Sequence, residues 1–223
     1  MLKSENTGDL IAASLRLDIS VGKIRPGDAL RQEELADRFA VSRIPIREAL
    51  RTLERDGLVE VFPNRGAFVI QLTTAELNEI TDLRVLIEGD LILRAVPLLT
   101  RSDLSEIQMA AYEAKRQSTT SSWIVADLAF HEALYRPAKR ARQLELFRSL
   151  RRSVQQYEAG YRRLPEQRKA WLEDHSCLVS ACSKRDVEHA HRILTGHIRR
   201  AGAFLVGCVE KIQVRKNTGE LHT

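Results

Sequence analysis

Residues 40–59 read AVSRIPIREALRTLERDGLV. At about 100° per residue, Arg43, Arg47 and Arg51 drift slowly along one side of a helix, while Ile46, Ala49, Leu50 and Leu53 share another. One face packs and the other carries a row of arginines. Ser42 is placed to cap this helix, Pro45 falls in its first turn where a missing N–H costs little, and Gly57 closes it. Upstream, RQEELADRF (31–39) reads as a shorter helix burying Leu35 and Phe39, with Ala40 and Val41 as the turn. Before it, Leu10 to Val21 has helical spacing and stops at Gly22, and IRPGDAL (24–30) supplies a Pro-Gly turn and a short extended piece. Downstream, LVEVF (58–62) and GAFVI (66–70) flank the turn PNRG (63–66) and predict a hairpin.

From Thr73 the pattern is helical throughout. TTAELNEITDLRVLIEGDLILRAV (73–96) predicts one long helix stopping near Pro97, and SDLSEIQMAAYEAKRQ (102–117) begins at a Ser cap. STTSS (118–122) is a loop. Further helices are expected around Ile124–Tyr135, Gln143–Tyr161, Glu166–Cys182 and Asp186–Val214. The expected fold is mainly α: three helices plus a β-hairpin over residues 1–72, then an all-α antiparallel bundle of about six helices over 73–223.

The chain has 223 residues, 43% hydrophobic and 29% charged, a composition that describes a folded globular protein and argues against disorder. No run of about 18 apolar residues occurs, and MLKSENTGDL lacks the apolar core of a secretory signal, so a cytoplasmic protein with no membrane partner is expected. Cys177, Cys182 and Cys208 lack metal-type pairing and read as reduced thiols. The net charge of +5 does not itself argue for nucleic acid, because residues 1–72 hold 11 Lys and Arg against 11 Asp and Glu. Any case for DNA rests on local geometry.

That geometry exists. A short helix, a tight turn and a second helix with exposed arginines is how a helix-turn-helix enters a major groove. Arg43 and Arg47, near the N-terminal end, are best placed to reach bases, where an arginine fork on guanine contributes roughly 1–3 kcal/mol of discrimination. Ser42 with the helix N-terminus suits a phosphate, and Arg65 at the hairpin tip suits the backbone or minor groove. Arg51 lies further along and suits a phosphate or a pair with Glu48 or Glu54. Spacing alone leaves a second reading open, an ordinary surface helix whose arginines pair with its own glutamates.

The run from Ile24 to Val69 resembles the winged helix-turn-helix of GntR-family bacterial transcription regulators: a Pro-Gly turn, a Leu-Ala helix, Val-Ser-Arg-x-Pro-x-Arg-Glu-Ala-Leu, Asp-Gly-Leu and a Gly-containing wing. The resemblance implies that Ser42, Arg43, Pro45 and Arg47 occupy DNA-contacting positions, with Asn64, Arg65 and Gly66 at the wing, Arg31 at the start of the preceding helix, and Ile44 offered to a thymine methyl. Ala40 departs from the glycine often found in the family's turn; a left-handed conformation there costs alanine about 1 kcal/mol.

In the helical half, Asp127 and His131 sit one turn apart on the apolar face Ile124, Leu128, Leu134, Tyr135. His175 joins Trp171, Leu178, Val179 and Cys182, and His197 joins Ile193, Leu194, Ala201 and Phe204. A buried carboxylate is expensive unless paired or metal-bound, and imidazoles with one carboxylate suit Zn²⁺, Ni²⁺ or a similar ion. Ordinary core histidines with one hydrogen bond each are the alternative. DLAFHEAL (127–134), LEDHSCLVSAC (172–182) and RILTGHI (192–198) resemble the metal pattern of the FCD domain of FadR-like GntR regulators, which implies Asp127, His131, His175 and His197 as ligands. DLRVLIEGDLILRA (82–95) matches the same domain's first helix and implies that Arg84 faces the cavity for an effector carboxylate and that Glu88 is structural; a plain pair of Arg84 with Asp82 or Glu88 stays open. Two departures concern loops: relatives carry Gly-Asn where this chain has RPAKRARQ (136–143), and Gly-Asp where it has Arg185 and Asp186.

Together these features predict a homodimeric DNA-binding regulator, a repressor reading a palindromic operator, whose binding responds to a small organic acid held at a divalent metal, Zn or Ni. The alternatives are a metalloenzyme built on the Asp and three His, and a regulator with a purely structural metal. No HExxH-like pairing of ligand and base supports an enzyme.

Overall fold

The computed structural model describes residues 6–63, 65–120, 122–154 and 165–217. The chain divides into two compact units, Met1–Leu72 with Arg152–Ala159 and Thr73–Arg151 with Gly160–Thr223.

In the first unit, helices α1 (Thr7–Ser20), α2 (Gln32–Phe39) and α3 (Arg43–Arg55) precede strands β2 (Val59–Phe62) and β3 (Gly66–Val69), and a two-residue strand β1 (Ala29–Leu30) lies between α1 and α2. The short extended piece therefore pairs: the sheet order is β1-β3-β2, antiparallel, with Leu30 opposite Ala67 and Val59 opposite Val69. Ile11, Leu15 and Ile19 of α1 pack with Leu35, Ile46, Ala49, Leu50 and Leu53 and with Leu58, Val59, Ala67 and Val69. Burial of this apolar stripe, at about 25 cal/mol per Å², is what holds short helices that would be marginal alone.

The helix ends have a shared construction. After α3, the Leu58 amide donates to Leu53 O and the Gly57 amide to Glu54 O, with Gly57 at φ 70°. The same pair of bonds ends α2 through Val41 and Ala40, so Ala40 is left-handed at φ 52°, and the cost anticipated for alanine in the turn applies.

In the second unit, α4 (Thr74–Ala95), α5 (Arg101–Gln117), α6 (Trp123–Tyr135), α7 (Ala141–Val154), α8 (Pro165–Lys184) and α9 (Val187–Asn217) form the bundle, six α-helices among the described residues. Thr73 and Glu76 make a capping box for α4. Thr100 and Asp103 make another for α5, which corrects the expected Ser cap: the hydroxyl one turn before Asp103 is that of Thr100. The expected helix from Gln143 to Tyr161 is present as α7 to Val154; its remainder lies outside the described residues. Leu91, Ile92, Ile107, Phe130, Leu134, Phe147, Leu178, Leu194 and Ile198 form the core. α9 closes on α4 at Gly202, where a Cβ would collide with Thr81.

Both departures from the family's loop glycines fall on left-handed residues, Lys139 at φ 53° and Arg185 at φ 53°. At Arg185 the strain is compensated. Its guanidinium donates to the carbonyls of Val96 and Pro97 at 3.3 Å and to Leu99 O, in the turn that follows α4, while Asp186 accepts from the His189 amide at 3.0 Å and caps α9.

Candidate functional site

The first unit presents the arginine helix as anticipated, with its apolar face buried and Ser42, Arg43, Ile44 and Arg47 exposed. Ser42 stands at the N-cap with extended backbone, φ −70° and ψ 168°, yet its side chain makes no capping bond. Pro45 is the third helical residue and has no N–H to offer, so the usual hydroxyl-to-amide cap has lost a partner and the first turn stays open. Arg47 and Arg51 make no ion pair or hydrogen bond among the described residues, so the intrahelical pairing of Arg51 with Glu48 or Glu54 is absent. Glu48 instead accepts from Asn6 at 3.2 Å. Arg43 donates to Glu33 of α2 at 2.5 Å, and Arg31 to Glu34 at 3.1 Å, all four side chains exposed. At the wing, Gly66 has φ 95° and Arg65 lies over the Phe62 ring at 5.7 Å; Asn64 is outside the described residues.

In the second unit, α6, α8 and α9 bring His131, His175 and His197 together, with one potential ligand atom from each lying within 4.8 Å of the others. All three are buried. Asp127 adjoins them, its Oδ1 3.4 Å from His175 Nε2 and its Oδ2 3.9 Å from His131 Nε2, while Arg151 of α7 donates to Oδ2 at 2.5 Å. Phe130 and Trp123 flank His175, with ring centroids 4.2 and 6.1 Å away.

The side chains of the cluster carry the charges that metal ligands would require. Burial pushes His131 well below the usual imidazole value and His175 down to about 4, so both are neutral at pH 7. Burial is the largest single influence and alone would raise the Asp127 carboxyl, but the surrounding groups, Arg151 first and then His175, His197 and Arg84, together outweigh it and hold the group below its usual value. His131 Nε2 and both ring nitrogens of His175 have no hydrogen-bond partner among the described residues. An ion takes one nitrogen from each imidazole, so the orphaned His131 Nε2 and one of the two orphaned His175 nitrogens are atoms a divalent ion would consume, and Zn²⁺ and Ni²⁺ accept N and O ligands of this kind.

Around the cluster lies a set of partners of which the sequence singled out only Arg84 and Glu88. His197 Nδ1 lies 3.1 Å from Asp174, which also accepts from Arg200 at 2.6 Å; Asp174, next to His175 in sequence, is turned to α9. Burial, the largest single influence, would raise the Asp174 carboxyl, but the hydrogen bonds and the charge interactions with His197 and Arg200 together hold it below its usual value. His131 Nδ1 lies 3.2 Å from the Tyr135 hydroxyl, which donates to Glu88 at 2.7 Å. Arg84, only 2% exposed, donates to Glu88 at 2.7 Å, and its Nη2 has no partner among the described residues. The open alternative for Arg84, a pair with Glu88, is therefore the one present. Tyr135 carried one sequence signal, its position one turn after His131, and Asp174 one, its place beside His175; Arg151 carried none.

Comparisons with known proteins agree with this architecture. Residues 7–69 match the model of bacterial regulatory proteins of the gntR family, and residues 79–200 match the FCD domain. The chain is 27% identical over 188 residues to the HTH-type transcriptional repressor RspR of Escherichia coli K12, covering 83% of this chain and 82% of that one. It is 28% identical over 193 residues to the gluconate operon transcriptional repressor of Bacillus licheniformis, covering 83% and 79%. A solved GntR regulator from Rhodococcus sp. RHA1 superposes with a TM-score of 0.73 at 27% identity over 90% of this chain and 97% of that one. These relatives are regulators and not enzymes, which sets the metalloenzyme alternative aside. The chain belongs to the GntR family of bacterial regulatory proteins, with an FCD domain as its second part.

Proposed function

We propose that this regulator is a cytoplasmic repressor that binds a palindromic operator as a homodimer, and that a small organic acid held at a metal in the helical unit modulates the binding. Arg43 and Arg47 read base edges, Ile44 meets a thymine methyl, and Arg31, Ser42, Pro45, Arg65 and Gly66 lie against the backbone or minor groove. Asp127, His131, His175 and His197 hold the metal, and Arg84 takes an effector carboxylate.

One observation carries the effector reading. The buried ionised side chains at the cluster already cancel, Arg84 with Glu88 and Arg151 with Asp127, and the histidines flanking Asp127 are neutral. A divalent cation adds two positive charges that no further described side chain is seen to neutralise, in a region where uncompensated charge is costly. A carboxylate ligand on the metal, with an oxygen at Arg84 Nη2, restores the balance and uses the orphaned guanidinium nitrogen. When bound, the metal supplies open coordination positions for that carboxylate. Coupling to DNA requires that the acid bind one arrangement of the dimer more tightly than the other.

The test is fluorescence anisotropy on a palindromic operator with Zn²⁺ present or chelated, across a panel of small mono- and dicarboxylic acids. The reading expects at least one acid to shift operator affinity about tenfold only when Zn²⁺ is present. A Zn²⁺-independent affinity that no acid alters would leave at most a structural metal.

A further inference from the structure

We propose that Glu88 and Tyr135 are positioning residues for His131: together they hold its imidazole as the Nδ1–H tautomer, so that the Nε2 lone pair is the atom offered to the cluster. This rests on, and deepens, the reading of the three histidines as a metal site.

The assignment follows from counting protons. Glu88 Oε1 accepts from Arg84 Nε at 2.7 Å, and Oε2 accepts from the Tyr135 hydroxyl at 2.7 Å. A phenol has one proton, and here it is spent on Glu88. Its oxygen therefore has only lone pairs for His131 Nδ1, 3.2 Å away, and the nitrogen must be the donor. A neutral imidazole carries one N–H, which leaves Nε2 bare. That Nε2 is buried with no hydrogen-bond partner among the described residues, 3.9 Å from the Asp127 carboxylate.

The three histidines are thus prepared in different ways. His197 Nδ1 meets the Asp174 carboxylate directly at 3.1 Å. His131 meets a carboxylate through a phenol. Neither nitrogen of His175 makes a hydrogen bond among the described residues; its Nε2 lies 3.4 Å from Asp127 Oδ1, and Phe130 and Trp123 flank its ring. The phenol extends the reach of the α4 carboxylate to a histidine on α6, and the same carboxylate carries Arg84. Glu88 therefore joins the arginine proposed for the effector to a proposed metal ligand through three hydrogen bonds.

The experiment uses the full-length protein, with long-range ¹H–¹⁵N spectra of the histidine rings in the metal-free state and Zn²⁺ affinity by chelator competition. Wild-type His131 is expected as Nδ1–H; finding Nε2–H there overturns the proposal without any variant. Tyr135→Phe is expected to lose that preference and to weaken Zn²⁺ binding about 10–100-fold while the far-ultraviolet circular dichroism is unchanged. A Tyr135→Phe protein that keeps the Nδ1–H form, or binds Zn²⁺ within twofold of wild type, overturns it. A wild type with Nδ1–H and no Zn²⁺ affinity supports the tautomer assignment and overturns the metal reading.

Discussion

Two ion pairs of the same length sit in the two units. Arg43 meets Glu33 at 2.5 Å with side chains 64% and 72% exposed, and Arg151 meets Asp127 at 2.5 Å with side chains 7% and 8% exposed. Water screens the first pair and competes for it, so its net contribution to stability is about 0–1 kcal/mol and its arginine stays available to another anion. The second pair has given up its hydration, so losing one member strands a charge. Equal distance therefore means opposite uses: the exposed pair can open onto a phosphate or a base, and the buried pair holds a carboxylate in place.

That contrast can be broken or sharpened by measurement. Asp127→Ala removes the carboxylate facing a buried guanidinium and should lower stability by about 3–5 kcal/mol in urea unfolding; a loss below about 1 kcal/mol would erase the distinction. Acid should act on the buried side too. In the metal-free protein the folded His175 value lies at about 4, below the ordinary 6.5, so the unfolded chain takes up the proton first as pH falls. Stability is full above about pH 6.5 and should drop by about 2 kcal/mol from this histidine by pH 5, with His131 adding in the same direction. On the exposed side, Arg47→Ala should leave the melting temperature within a degree or two while weakening a specific operator by about 10–100-fold, read by anisotropy against random duplex. Ala40→Gly relieves a left-handed alanine at φ 52° and should add about 1 kcal/mol of stability. The smallest effect belongs to Glu33→Gln: under about 0.5 kcal/mol in stability, with tighter binding to random duplex because Arg43 loses its competing carboxylate.

The elements were legible where a period or a cap named them. Periodicity of 3.6 placed His131, His175 and His197 on the apolar faces of three helices, and all three are buried. Gly22 and Gly57 were readable as helix ends because glycine is the usual left-handed residue. Lys139 and Arg185 were not, since neither side chain signals a left-handed backbone, and at Arg185 the compensating bonds go to carbonyls of residues 96, 97 and 99, far away in sequence. Strand β1 was readable only as an extended piece, because two residues carry no alternation and the partner Ala67 lies 37 positions on.

The sequence by itself determined which residues face inward, where the arginine row lies, and that a carboxylate and three imidazoles share buried faces, because a helical period converts position into direction. Only the tertiary structure decided what each of them meets. Arg151 on Asp127, Asp174 on His197 and Glu88 on Tyr135 are separated by 24, 23 and 47 residues, and Glu33 on Arg43 by 10. A period names a face of one helix; the neighbour across that face depends on how helices cross and at what height, which is set by packing over the whole core.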